Sequence, residues 1–151
     1  MANTQAMCTS FKTEILDGIH ALGTTVIRAG TGADTLKAAL YLTSATVNAA
    51  TTAYSATGEV SGTNYSAGGI TATNANQPAN SGTTAYWTPS ASFTYTSVTL
   101  STAFDAVLIY NSTQSNKAIS VHTFGSQTVT AGTFVLSMPT NDASTGLLRI
   151  A

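Results

Sequence analysis

Three apolar runs separated by polar, turn-forming residues lie between residues 103 and 139, and any fold of this chain must be built around them. Ala106, Val107, Leu108, Ile109 and Tyr110 form an unbroken apolar run, too short for an independent helix and rich in β-formers. Such a run predicts a central strand covered on both faces. The Asn-Ser-Thr-Gln-Ser-Asn cluster at residues 111–116 favours a turn, because these side chains can bond their own backbone. Beyond it Ile119 and Val121 alternate with Ser120 and His122, the pattern of a half-buried partner strand. In the third run Phe134, Leu136 and Met138 share one face and Thr133, Val135 and Ser137 the other; Pro139, which cannot donate to a ladder, ends it. Three strands in an antiparallel meander are the simplest arrangement.

Composition points the same way. Charged residues are 7% of the 151, against about 25% in an ordinary soluble domain, while hydrophobic residues stand at 43%. Ser and Thr take the place of charge, and β-branched Thr suits a pleated, half-exposed sheet. The length fits one domain that folds without metal or disulfide. A net charge of −1, with Lys12, Arg28, Lys37, Lys117 and Arg149 scattered, argues against the basic groove that nucleic acid requires. Weak charge also permits close packing against other subunits. Cys8, the one cysteine, is expected to be a buried, idle thiol. No apolar run is long enough to cross a membrane, and the first residues lack the basic and apolar regions of a secretory signal. Release into the cytoplasm of the producing cell is therefore expected.

Residues 1–9 read as an extended polar arm with little of its own to pack, and residues 10–151 as a single domain. With Ser10 as N-cap, Phe11, Ile15, Ile19 and Leu22 recur at helical spacing. They predict a helix over roughly residues 10–17, interrupted by Gly18 and covering one end of the sheet. A short β-like run at residues 25–27 precedes a Gly-Thr-Gly turn at 30–32. Leu36, Ala38, Leu40 and Leu42 then alternate with Lys37, Ala39 and Tyr41 as a strand. Residues 43–82 are nearly featureless; a helical or irregular excursion is expected at 47–54, a strand at 70–73 and a surface loop at 74–83. Phe93 and Tyr95 alternate with Thr94 and Thr96, whereas Val98 and Leu100 have the opposite parity, which predicts a bulge or turn near Ser97. Leu148 and Ile150 flank Arg149 in a closing strand. Seven or eight short strands, one helix and no internal repeat describe an all-β fold, an antiparallel β-sandwich of the class that includes jelly rolls.

Residues able to carry chemistry are sparse. Two histidines and one cysteine at distant positions give no converging ligand set, so neither metal nor cofactor is expected. His20 and His122 read as ordinary surface histidines. A Ser-His-Asp triad can be drawn from His122, Asp105 and a serine, but so many serines make the coincidence uninformative, and no G-x-S-x-G elbow is present. Glu14 and Asp17 read as a solvated helix face, Asp34 and Asp142 as turn or cap residues. The Gly-rich pieces at 30–32 and 68–69 lack the lysine of a phosphate cradle. A protein without enzymatic activity is the expectation. Tyr54, Tyr65, Tyr86 and Trp87 fit either a sugar-stacking platform or core and interface positions, since Tyr and Trp bury large areas while offering a polar tip.

Five stretches carry a resemblance: SFKTEILDGIH at 10–20, DTLKAALY at 34–41, TAYSATGEVSGTNY at 52–65, AVLIYN at 106–111 and LRIA at 148–151. In this order, over nearly the whole chain, the sequence resembles a family of small virion structural proteins of tailed bacteriophages. The resemblance implies no catalytic residues. It implies a structural place on the virion, made in the host bacterial cytoplasm. A compact single domain, an arm at the N-terminus, low charge and no fibrous repeat favour a decoration or cement protein on the capsid exterior, bound to the major capsid protein. Many copies per particle favour self-association as dimers or trimers. A tail or fibre component that binds a host receptor or glycan is the alternative. The arm and the segment between the two tyrosines are the expected contact elements, through Asn3, Thr4, Gln5, Met7, Phe11, Tyr54, Val60 and Tyr65. Neither nucleic acid nor membrane is an expected partner.

Overall fold

Two antiparallel strands of unusual length organise the molecule. In the computed structural model, which describes residues 2–16, 18–24 and 32–151, β6 (Phe93–Asn111) and β7 (Lys117–Leu136) run 19 and 20 residues. Ordinary strands are about 5–6 residues long. The remaining elements are β1 (Ala6–Met7), α1 (Thr9–Leu16), β2 (Leu36–Leu42), β3 (Ile70–Thr71), β4 (Ala79–Ser81), β5 (Thr84–Trp87) and β8 (Leu148–Ile150). They form two antiparallel sheets, one ordered β1-β7-β6-β2-β3 and the other β4-β5-β8. The fold is thus mainly antiparallel β with one short helix, as the residue pattern predicts. The β-like run at 25–27, the turn residues 30 and 31, Asp17 and Arg28 lie outside the described residues.

The apolar run at 106–110 is buried throughout and lies on a central strand, with β2 paired on one side of it and β7 on the other. The three-stranded meander does not form. The first run is the end of β6, while the second and third are the start and finish of one continuous β7. Its far end pairs with Phe93, Thr94 and Tyr95. The polar stretch at 126–132, read as a turn, continues the strand, since Leu100 and Phe104 of β6 face it and supply partners that local composition does not reveal. The ladder crosses this region through register shifts, with Ala131 at φ 46°. Between Tyr95 and Val98 the register also shifts, with Ser97 at φ 54°, where the change of parity predicts a bulge.

Gly18 ends α1 rather than interrupting it. At φ 68° its N–H donates to Ile15 O (3.0 Å) while Ile19 N–H donates to Glu14 O (2.9 Å), the paired bonds of a helix stop that a residue without Cβ adopts at least cost. The first residues are not a free arm. Thr4 N–H donates to Val47 O, Ala6 and Met7 pair with Val121 and Ser120, and Cys8, fully buried, donates its N–H to Ile119 O. Part of the predicted surface loop at 74–83 is strand: β4 and β5 form a hairpin closed by Gly82 and Thr83. Residues 47–54 are irregular, as expected, and are held by bonds such as Tyr54 N–H to Asn116 O.

Candidate functional site

Side chains able to do chemistry gather in three places. The first lies between α1 and the β6–β7 turn. Helical spacing puts Glu14 on the inner side of α1, where Oε1 accepts from Lys117 Nζ (2.6 Å) and Oε2 faces His20 Nε2 (2.7 Å). The other ring nitrogen, Nδ1, is 3.0 Å from Asn111 Nδ2. Asn111 Oδ1 accepts from the N–H groups of Thr113 and Gln114, so its amide nitrogen must point at His20 and at Asp34 Oδ2, 2.7 Å away. Nδ1 therefore accepts, and the Nε2 proton is directed at Glu14. Asp34 also receives the Ala21 N–H and the Gln114 amide.

Two expectations are corrected here. The His20 side chain is 1% exposed rather than on the surface, and Glu14 is buried rather than on a solvated face. Burial alone would raise the Glu14 carboxyl; the hydrogen bonds from Lys117 and His20, with the lysine charge, outweigh it and hold the group below the usual carboxylate range. Both His20 nitrogens are engaged, which leaves none to take a proton from a substrate.

The second cluster centres on Glu59, which no motif singles out. Its Oε1 accepts from Tyr65 Oη (2.8 Å) and from the Gly68 N–H (2.8 Å), and its Oε2 from Tyr54 Oη (2.6 Å). An unpaired buried carboxylate costs several kcal/mol, and three donors offset that cost. The ring of Tyr54 stacks on Tyr110 and that of Tyr65 on Tyr95, at centroid distances of 4.8 and 5.9 Å. Tyr110 and Tyr95 in turn donate to Gly68 O and Ala38 O. Burial, reinforced by the Glu59 carboxylate, raises the phenols of Tyr54, Tyr65, Tyr95 and Tyr110, and takes Tyr41 to about 12. Gly69, at φ 70°, closes the turn against β2 so tightly that a Cβ would sit 1.8 Å from Ala38 O. One signal was present: Glu59 is a lone acid in an otherwise uncharged stretch flanked by tyrosines.

The third place is a groove of about 420 Å³ beside β1 and β8, lined among others by Gln5, Ser120, His122 and Arg149. Ser120 Oγ is 2.9 Å from His122 Nε2. His122 is not the solvent-facing residue expected: burial pushes its imidazole down to about 4, so the ring is neutral at pH 7. No carboxylate lines the groove among the described residues, and Asp105, the acid of the triad drawn on paper, is held instead by Asn3 Nδ2 at 2.6 Å. Burial, then the Glu14 charge, raises the Cys8 thiol to about 11, well above the range of a reactive thiolate.

The predicted contact residues divide. Phe11 and Val60 are core residues, and Asn3 bonds Leu42 O, Asp105 and the Val47 N–H, so burial and internal bonding remove these three from a contact surface. Thr4 and Gln5 are exposed and Met7 is half-buried; Tyr54 and Tyr65 keep partly exposed rings but turn their hydroxyls inward. Trp87 is buried, and Tyr86 lines a separate apolar cavity of about 260 Å³ with Phe11, Leu22 and Ile150, so Tyr86 and Trp87 belong to a different cluster from Tyr54 and Tyr65. Asp142 caps a turn, accepting the N–H groups of Ser144 and Thr145 as expected. Comparison with known proteins returned no matching family model, curated protein or solved structure.

Proposed function

We propose that this protein is a non-enzymatic virion structural protein of a tailed bacteriophage, a capsid decoration protein that binds the outer surface of the major capsid shell and stabilises it. One observation carries the reading: all five described carboxylates, Glu14, Asp34, Glu59, Asp105 and Asp142, accept hydrogen bonds from the protein's own groups. The few ionised acids are used to brace the fold, and what remains outside is a nearly neutral surface rich in hydroxyl groups. Such a surface approaches a protein shell without electrostatic repulsion. The resemblance of five sequence stretches to phage virion proteins supports the same role. A shell filled with DNA fails where capsomers part; a stiff domain bridging that seam adds interface energy that must be lost before the seam opens.

Thr4, Gln5 and Met7 are the contact residues this reading retains from the N-terminal segment, with the exposed faces of Tyr54 and Tyr65 as a second element. Cosedimentation with purified capsids that lack the protein tests it. Saturable binding at hundreds of copies per particle, with shells that withstand more heating, is the expected result, and Gln5→Glu should weaken it. Absence of binding to capsids, together with binding to surface glycans of the host, would overturn the reading in favour of a tail or fibre role.

A further inference from the structure

The five-stranded sheet ends in an open edge. β1 covers β7 only at Ser120 and Val121. Among the described residues, no backbone bond joins residues 123–136 to any element other than β6. Soluble proteins protect long edges with lysine, proline or bulges. This edge has no Lys, Arg, Asp, Glu or Pro from residue 118 to 138. Bulges are present, but the register shifts fall between Tyr95 and Ala106 and between Ile109 and Tyr110 on β6. They leave residues 134–136 in regular register with residues 93–95. Val135 stands outward in that regular part, 48% exposed, one of the two large apolar side chains left in solvent among the described residues.

We propose that residues 134–136 pair antiparallel with the same residues of a second copy, Val135 opposite Val135, joining two five-stranded sheets across a two-fold axis. The argument for a second copy rests on charge and symmetry. In a two-fold antiparallel pair the strand meets itself, so one charged side chain near the axis would face its own duplicate. Residues 118–138 carry none, and the chain as a whole has a net charge of only −1. The two exposed Val135 side chains approach one another and leave water, and the open N–H and C=O groups of each edge find partners in the other. The inference locates the self-association within the reading above without depending on shell binding. A dimer that binds no capsid leaves the edge pairing intact, and capsid binding by a strict monomer refutes the pairing alone.

Analytical ultracentrifugation of the full chain tests it, since a dimer has twice the 15.4 kDa mass of one chain. The wild type should dimerise reversibly. Val135→Lys and Val135→Glu, each placing like charges across the axis, should each be monomeric, and a mixture of the two should recover the dimer. Circular dichroism checks that both variants are folded. If either is not, amide exchange of the wild type decides: protection of residues 134–136 that rises with protein concentration supports the pairing. A wild type monomeric at every concentration that stays in solution, a dimer indifferent to Val135→Lys, or edge amides that become protected only when capsid is added would overturn it.

Discussion

Acidification from about pH 7 to about pH 5 should weaken the folded state by about 2 kcal/mol through His122 alone. In the unfolded chain the imidazole takes a proton near pH 6.5, whereas enclosure beside β1 and β8 lowers the folded value to about 4. Between those values the unfolded state binds more protons, so the contribution is complete above about pH 6.5 and is lost as the pH falls toward 4. Its full size, at about 1.4 kcal/mol for each pH unit between the two values, is about 3 kcal/mol. Among the described residues, the groove contributes no carboxylate that would stabilise the imidazolium. Glu14, whose carboxyl lies below the usual range, titrates under this window and does not obscure it. Urea unfolding at the two pH values measures the loss; with a slope of about 2 kcal/mol per molar urea, the midpoint should fall by about 1 M. His122→Gln keeps a hydrogen-bonding partner for Ser120 but cannot be protonated, so its midpoint should change much less. Equal losses in the two proteins would refute the assignment.

Three further substitutions, and one control, probe the bracing. Glu59→Ala strands the hydroxyls of Tyr54 and Tyr65 and the Gly68 N–H, and should cost at least about 3 kcal/mol in urea unfolding. Gly69→Ala drives a methyl group into Ala38 O and should prevent accumulation of folded protein, visible as loss of the near-ultraviolet tyrosine signal in circular dichroism. Asn3→Ala removes bonds to Leu42 O, Asp105 and Val47, and should cost about 2 kcal/mol by the same unfolding assay, whereas Thr4→Ala, exposed at its side chain, should change little.

What the sequence made legible follows from how local each cause is. The strand at residues 106–110 is written in five consecutive apolar side chains, and the kink at Ser97 in a change of alternation three residues long. β4 left no trace, because all three of its residues face solvent and no periodicity marks them. Burial of Glu14 was hidden for a different reason: its lysine partner is 103 residues away, and a carboxylate at an inward helical position looks solvated until that partner is known. His20 was misread in the same way, since its amide partner lies on the far strand, 91 residues on. The docking of the first residues depends on Asn3, which reaches Asp105 across 102 residues of chain. Local pattern therefore found most strands, while the polar clusters, each assembled from distant segments, could be read only from the fold.

The same distances bear on how the chain is made. Met7 pairs with Ser120, and β2 with the end of β6, so a ribosome must release most of the polypeptide before the first residues can find their places. Folding of this kind, dominated by contacts remote along the chain, is slow, and strand edges stay exposed until it is complete. Nascent copies crowded on one message would hold the same segment, uncharged from residue 118 onward, side by side, so yield on overexpression should depend on how quickly synthesis delivers residues 117–136.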